Sequence, residues 1–215
     1  MRTVLNFLLN SLALTGGALL GNQATLRLGY QNQPRPMPHQ FAWALDHPWR
    51  LKYRRPAEDV GLYGCGAGMT VLDVGCGIGL YTVPLAERVG DAGRVHAVDL
   101  QAPLLERARQ RVAAAGFAPR VQFHHGGAYQ LPLPDASIDL AVMVATLPQI
   151  PNRLLALAEL SRVLKPAGRL VISEELPDPA YVPPPITRRW VEDAGFAYGG
   201  QSGSWFCYHL ICFNQ

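Results

Sequence analysis

The residues best placed to do chemistry in this chain are concentrated in "TVLDVGCGIG", Thr70–Gly79. An apolar run carries one acid, Asp73, and then three glycines at alternate positions, Gly75, Gly77 and Gly79. A turn of this kind lets a ligand lie directly on backbone, because glycine accepts a positive φ and has no Cβ. Dinucleotide enzymes use a glycine turn as well, so the turn alone does not choose the ligand. Its surroundings narrow the choice. The dinucleotide fingerprint asks for a small residue where this chain has Leu80. Asp73 would repel a pyrophosphate and attract an amino-bearing or cationic group. Asp99 closes the next apolar run, "RVHAVDL". A carboxylate there can accept hydrogen bonds from both hydroxyls of a ribose. Together the two acids suit a nucleoside with a zwitterionic, positively charged tail. Each also has a plainer reading, Asp73 as a loop carboxylate and Asp99 as a helix N-cap.

Such residues must be held at the carboxyl end of a parallel sheet, where ligands of open α/β folds bind. The pattern supplies that sheet. "MTVLDVG", "RVHAVDL", "RVQFHH", "SIDLAVMVATL" and "RLVISEE" read as strands. Between them "LYTVPLAERVG", "APLLERARQRVAAAG" and "NRLLALAELSRVLKPAG" read as helices, the last capped by Asn152 and stopped by Pro166 and Gly168. Alternation of this kind predicts a doubly wound α/β fold. "ITRRWVEDAGF" reads as a further helix, and "FAYGGQSGSWFCYHLICF" as a closing antiparallel hairpin.

The 215 residues allow one such domain plus an extension. The net charge is +3, unevenly spread: Met1–Arg55 holds seven Lys/Arg against the single acid Asp46. Residues 4–20 are mostly apolar and uncharged. Asn6, Asn10 and the Gly16-Gly17 break make the run a poor transmembrane span. Val4, Leu5, Leu8, Leu9 and Leu12 share one helical face, which predicts an amphipathic helix. It could cover the protein's own site, meet a partner or lie on a membrane; a cleaved signal is a further reading. Three prolines interrupt helix up to Pro38, and helical spacing returns over about His39–Arg54. Arg50, Lys52, Arg54 and Arg55 read most simply as a solvated face. The four cysteines show no metal-site or paired spacing, so no metal is expected and a reducing, cytoplasmic setting is, with membrane association if residues 4–20 lie on a bilayer.

These motifs in this order resemble the class I S-adenosylmethionine-dependent methyltransferases, in the small-molecule group that contains the ubiquinone/menaquinone-type enzymes. "VLDVGCGIG", "VHAVDL", "GGAYQLPLPDASIDLAVM" and "ELSRVLKPAGRLVISE" carry the resemblance, which covers about Met69 to Phe213. It implies a Rossmann-like, doubly wound seven-stranded sheet, order 3-2-1-4-5-7-6 with the last strand antiparallel. An N-terminal helical extension or lid, 1–60, would precede a cofactor-binding domain, 61–215. It further implies that S-adenosyl-L-methionine is the cofactor. By position, Asp73, Gly75, Cys76, Gly77 and Gly79 would hold its methionine end, Asp99 and Leu100 its ribose and adenine flank, Ala128 and Tyr129 the adenine edge. Val144 would line the cleft. The family often carries an acid just before the alanine at 128; Gly127 stands there instead, leaving the adenine amino group to backbone or to Tyr129.

The implied reaction is methyl transfer to a small acceptor, apolar or amphipathic given the uncharged N-terminal segment. Placement alone can supply about 7–11 kcal/mol of a barrier, so a dedicated base is optional. His124, His125, Glu174, Glu175 and His209 are candidates, and the residues single out none of them. Two other functions remain open on sequence: a non-catalytic S-adenosylmethionine-binding protein, and a nicotinamide-dependent oxidoreductase, against which Leu80 and Asp73 speak. A nucleic-acid partner is not expected, because "ATLPQIP" follows the fourth strand where an Asn-Pro-Pro-aromatic motif would stand.

Overall fold

The computed structural model describes Gly17 and residues 21–215, so the amphipathic helix expected over 4–20 lies almost wholly outside the described residues. The chain from Thr70 onward builds a seven-stranded sheet. Its strands are β1 Thr70–Val74, β2 Arg94–Asp99, β3 Val121–His125, β4 Ile138–Val144, β5 Leu164–Glu175, β6 Ala197–Gly203 and β7 Cys207–Phe213. The order is β3-β2-β1-β4-β5-β7-β6. β1 to β5 run parallel, and β7 enters antiparallel between β5 and β6. This is the topology that the resemblance implied.

β1 and β4 stand at the centre and are nearly continuous apolar runs, as strands buried on both faces must be. Along β1 the side chains alternate between two cores. Val71 joins Val60, Tyr63, Leu85 and Val89 on the face covered by helices α2 Pro56–Leu62 and α3 Thr82–Val89. Leu72 and Val74 join Leu157, Leu160 and Val191 on the face covered by α5 Arg153–Val163 and α6 Pro184–Asp193. Helix α4, Ala102–Ala114, packs Leu105 and Ala108 on Ala97 of β2. Asn152 caps α5 as its sequence suggests, accepting from the Leu155 amide at 3.1 Å.

Three local expectations need correction. Helix α5 stops at Val163, ahead of Pro166, and Leu164 already pairs with Ile138 of β4. The residue before a proline is driven out of helical geometry, and Ala167 turns back with φ 59°. The stretch His39–Arg54 is not one helix but two 3₁₀ turns, His39–Ala44 and Arg50–Lys52. Pro48 lies between them and interrupts the backbone bonding. Beyond it α2 starts on Pro56 at its first turn, with Glu58 and Asp59 beside its N-terminus. A further helical segment, α1, covers 21–32 and leads into the extended prolines.

The basic cluster is the third correction. Arg54 is fully buried rather than solvated. Its Nε donates to Glu175 Oε2 at 2.7 Å, its Nη1 to Ser173 Oγ, and Arg50 Nε donates to Glu175 Oε1 at 2.7 Å. Burial alone would raise the Glu175 carboxyl; the two guanidinium groups more than offset it and hold it below the usual range. The N-terminal extension is thereby pinned to the carboxyl end of β5. Removing one partner of a buried ion pair strands the other charge and costs about 3–5 kcal/mol. Arg54→Met is expected to lose stability in that range in urea denaturation, whereas Arg55→Met, on an exposed pair with Glu58, is expected to change it by less than about 1 kcal/mol.

Candidate functional site

The glycine turn follows β1 at the lip where the strand order reverses between β1 and β4. The amides of Gly75 and Cys76 both donate to the Val98 carbonyl, at 2.8 and 3.1 Å, which ties the turn to the end of β2. Gly75 adopts φ 70°, and a Cβ there would lie 2.6 Å from the Thr146 side chain, so only glycine fits between the two loops. Asp99, buried at the end of β2, bridges the turn and α4. Its Oδ2 accepts from the Gly77 amide and its Oδ1 from the Gln101 amide, each at 2.8 Å. Burial raises its pKa, and those two amides work against the rise. Each oxygen keeps a lone pair, the arrangement that a vicinal diol can use.

Asp73 sits beneath the turn, only 2 % exposed, where its Oδ2 accepts from Thr82 Oγ1 of α3 at 2.6 Å. Burial pushes its carboxyl up to about 7, against the Thr82 bond and with help from Asp99. An ammonium group nearby would favour the ionised form, while an anion would disfavour it. Asp73 and Asp99 thus fit a ribose and an amino-bearing tail; they do not fit a pyrophosphate.

The other residues expected at the site occupy its rim. Leu100 is exposed beside Asp99, and a Cβ on Gly127 would lie 3.8 Å from its Cδ1. Ala128 is buried, and Tyr129 is partly exposed with its hydroxyl accepting from the Asn152 amide at 2.9 Å. Cys76 is buried among Ala97, Leu105 and Ala108, its thiol pushed well up by burial, which makes it packing rather than a nucleophile. Val144 ends β4 and is followed by Ala145 with φ 51°, a strained conformation of the sort that clusters at functional sites.

Several participants had no sequence signal. Met37, in the extended prolines, crosses the cleft: its carbonyl accepts from Gln101 Nε2 and its amide donates to Gln149 Oε1, both at 2.9 Å. Those two glutamines follow β2 and β4, so one residue of the N-terminal segment bridges the ends of both strands. Ala42 packs on Ile78 and Leu104, and Leu45 would be 3.3 Å from a Cβ on Gly77. These contacts span more than thirty positions of sequence, and no short motif could announce them.

The proposed bases separate by position. His124 stacks on His96 with their ring nitrogens 3.0 Å apart, and His125 Nε2 lies 3.0 Å from the Leu100 carbonyl; both belong to the β3 edge. His209 is buried, its Nδ1 2.7 Å from Ser173 Oγ and 3.1 Å from the Tyr63 hydroxyl, its Nε2 3.7 Å from Asp59 Oδ1. Ser, His and Asp are the residue types of a nucleophilic triad. Here Ser173 is fully buried and hydrogen-bonded to Arg54, and burial lowers His209 to about 4. The group braces the extension against β5 and β7 and offers no exposed nucleophile.

The folded protein holds the Asp73 proton up to about pH 7, the unfolded chain only below about pH 4. Native protein therefore binds more protons across that window, and stability falls as pH rises through it. Asp73→Asn keeps an acceptor for Thr82 and removes the ionisation. Its melting temperature at about pH 8 is expected to exceed that of the wild type by at least about 2–4 °C, with the difference shrinking toward about pH 4; thermal denaturation over pH checks this.

A family model described as a methyltransferase domain matches residues 72–172. Demethylmenaquinone methyltransferase of Staphylococcus aureus is 36% identical over 126 residues, covering 59% of this chain and 48% of that protein. The protein of the same description from Lactiplantibacillus plantarum is 39% identical over 115 residues, covering 53% and 48%. The chain thus spans about half the length of these curated relatives. Among solved structures, a SAM-dependent methyltransferase from Aquifex aeolicus is 30% identical with a TM-score of 0.75, matching 84% of this chain and 100% of that one. An S-adenosylmethionine-dependent methyltransferase structure from Methanococcus maripaludis, described there as putative, shares the fold at 19% identity and a TM-score of 0.67, over 83% and 94%. With a relative matched over its whole length and an acid pair suited to a nucleoside with an amino-bearing tail, the chain belongs to the class I S-adenosylmethionine-dependent methyltransferases.

Proposed function

We propose that this protein transfers a methyl group from S-adenosyl-L-methionine to a small, apolar, quinone-like acceptor. The observation that carries the cofactor half is the Asp99 carboxylate, held by two amides with a lone pair left on each oxygen. In this reading Asp99 and Leu100 receive the ribose and adenine flank, and Ala128 and Tyr129 border the adenine edge. Asp73 and the turn Gly75–Cys76–Gly77–Gly79 receive the methionine end, with Val144 lining the cleft. When bound, the cofactor supplies an electrophilic methyl on a sulfonium. The chain's own task is to align an acceptor with that methyl and to exclude water. Residues 1–60 act as the lid over 61–215, with Met37, Ala42 and Leu45 as its contacts on the cleft.

The acceptor class is supported by the names of the curated relatives and by apolar groups near the mouth. Tyr53 meets Phe206 edge-on at 4.9 Å, the Leu176 amide donates to the Phe206 carbonyl at 2.7 Å, and Trp205 is 63% exposed. Trp49, 70% exposed with Lys52 Nζ over its ring, adds an aromatic–basic pair of the kind that sits at membrane interfaces. No helix among the described residues is long and apolar enough to cross a membrane. We place contact with a bilayer surface in residues 4–20, in a protein of the cytoplasm.

Isothermal titration is expected to show S-adenosylhomocysteine binding to the wild type and a loss of tenfold or more, about 1.4 kcal/mol, in Asp99→Ala. Incubation with S-adenosylmethionine and a demethylated naphthoquinol is expected to yield S-adenosylhomocysteine together with methylated product by mass spectrometry. Binding without turnover of any quinol, phenol or lipid acceptor would instead identify a cofactor-binding scaffold. Removing Met1–Gly21 is expected to lower cosedimentation with anionic vesicles while leaving S-adenosylhomocysteine affinity within twofold.

A further inference from the structure

Two adjacent acids end β5, and the fold treats them in opposite ways. Glu175 is held by Arg50 and Arg54 and is part of the lid attachment. Glu174 points to the other face of the strand, is 0% exposed, and among the described residues neither of its carboxylate oxygens has a hydrogen-bond partner. Leaving a buried polar group unsatisfied is costly, so a carboxyl in that state calls for a partner beyond the described residues.

Its surroundings say where that partner would lie. The Thr146 backbone amide approaches Glu174 and works against the rise of its carboxyl without meeting hydrogen-bond geometry, and the Thr146 side chain lies over Gly75 of the glycine turn. Glu174 is thus one residue removed from the point where the methionine end of the cofactor is expected. Asp178 acts on it from the loop after β5, with its Oδ1 accepting from the Ala180 amide at 2.7 Å and its Oδ2 3.4 Å from Gln149 Nε2. Gln149 is the same residue that grips the lid at Met37. Tyr181 and Tyr208 complete the neighbourhood, the Tyr208 hydroxyl being spent on the Val182 carbonyl and Thr187.

We propose that Glu174, with Asp178 and Gln149 beside it, is the polar end of the acceptor pocket and accepts a hydrogen bond from a ring hydroxyl of a hydroxyaromatic acceptor. The proposal rests on the methyl-transfer reading above and assigns to Glu174 the recognition of the acceptor's hydroxyl. Burial, reinforced by the charges of Asp178 and Glu175 and opposed by Arg54, keeps the carboxyl protonated well above the usual range. A neutral carboxyl offers a carbonyl lone pair to a hydroxyl hydrogen and an O–H to a ring oxygen. An acceptor whose oxygens are capped would leave the carbonyl side unpaired, and sites of this kind reject such ligands strongly.

The test uses the full chain loaded with S-adenosylhomocysteine and titrated anaerobically with naphthohydroquinone or with its dimethyl ether. The wild type is expected to bind the diol at least tenfold more tightly than the diether. Glu174→Gln and Glu174→Leu are expected to reduce that preference by tenfold or more, with S-adenosylhomocysteine affinity within twofold of the wild type. Glu174→Leu is also expected to raise the melting temperature, since it removes an unsatisfied buried group. Variants that keep the diol preference overturn the proposal. So do variants that lose S-adenosylhomocysteine instead, which would put Glu174 on the cofactor, and a Glu174→Leu chain that melts lower, which would make the carboxyl structural. A wild type that binds S-adenosylhomocysteine but neither naphthalene overturns the acceptor class as well; a wild type that binds no S-adenosylhomocysteine overturns the methyl-transfer reading itself.

Discussion

The end of β2 is the constraint on which the rest of this structure depends. The carbonyl of Val98 receives two amides from the glycine turn, and the carboxylate of Asp99 receives a third from the turn and a fourth from the start of α4. A turn that gives so many amides to one strand end must run tight against it. Gly75 has no room for a side chain beside Thr146, and Gly79 would bring a Cβ to 3.1 Å from Ala108 of α4. The parallel register of β1 on β2 sets the height of that meeting, since Val74 pairs with Val98. The geometry of the glycine turn is therefore a product of strand pairing, which holds Asp99 in one orientation against it.

A second interaction attaches the N-terminal segment to the sheet. Arg54 brings a full charge into the interior and shares Glu175 with Arg50, while Ser173, His209, Tyr63, Tyr81 and Asp59 form the hydrogen-bonded surround. Buried ionic groups are weak sources of net stability, but they penalise every arrangement in which they are unpaired. An extension fastened only by apolar contacts could slide over the sheet end. One fastened by a guanidinium is penalised wherever Arg54 is left unpaired, and in the arrangement that pairs it Met37 lies between Gln101 and Gln149.

The carboxyl lip of the sheet concentrates acids that are costly there. Asp73, Asp99, Glu174 and Asp178 all have pKa values raised first of all by burial. Glu175, a neighbour in the same environment, is lowered because it alone has two guanidinium partners. Perturbed acids gathered at one cleft are a mark of a binding site, and here they flank the glycine turn on both sides. Stability is given up at the lip and supplied by the two apolar cores beneath it.

The sequence by itself determined the fold class, the strand and helix order and the class of cofactor, because each rests on local signals. Period-two and period-3.6 apolar patterns, a glycine turn and an acid at the end of a strand are visible within ten residues of chain. It misjudged the end of α5, where Pro166 and Ala167 turn the chain before the apolar pattern runs out, and the stretch His39–Arg54, where Pro48 breaks the helical spacing. Only the tertiary structure decided which charges are buried. Arg54 and Arg55 are adjacent and chemically identical, yet one is sealed against Glu175, more than a hundred residues away, and the other faces solvent. Glu174 and Glu175 divide in the same way because successive residues of a strand point to opposite faces, and what waits on each face is set by distant chain.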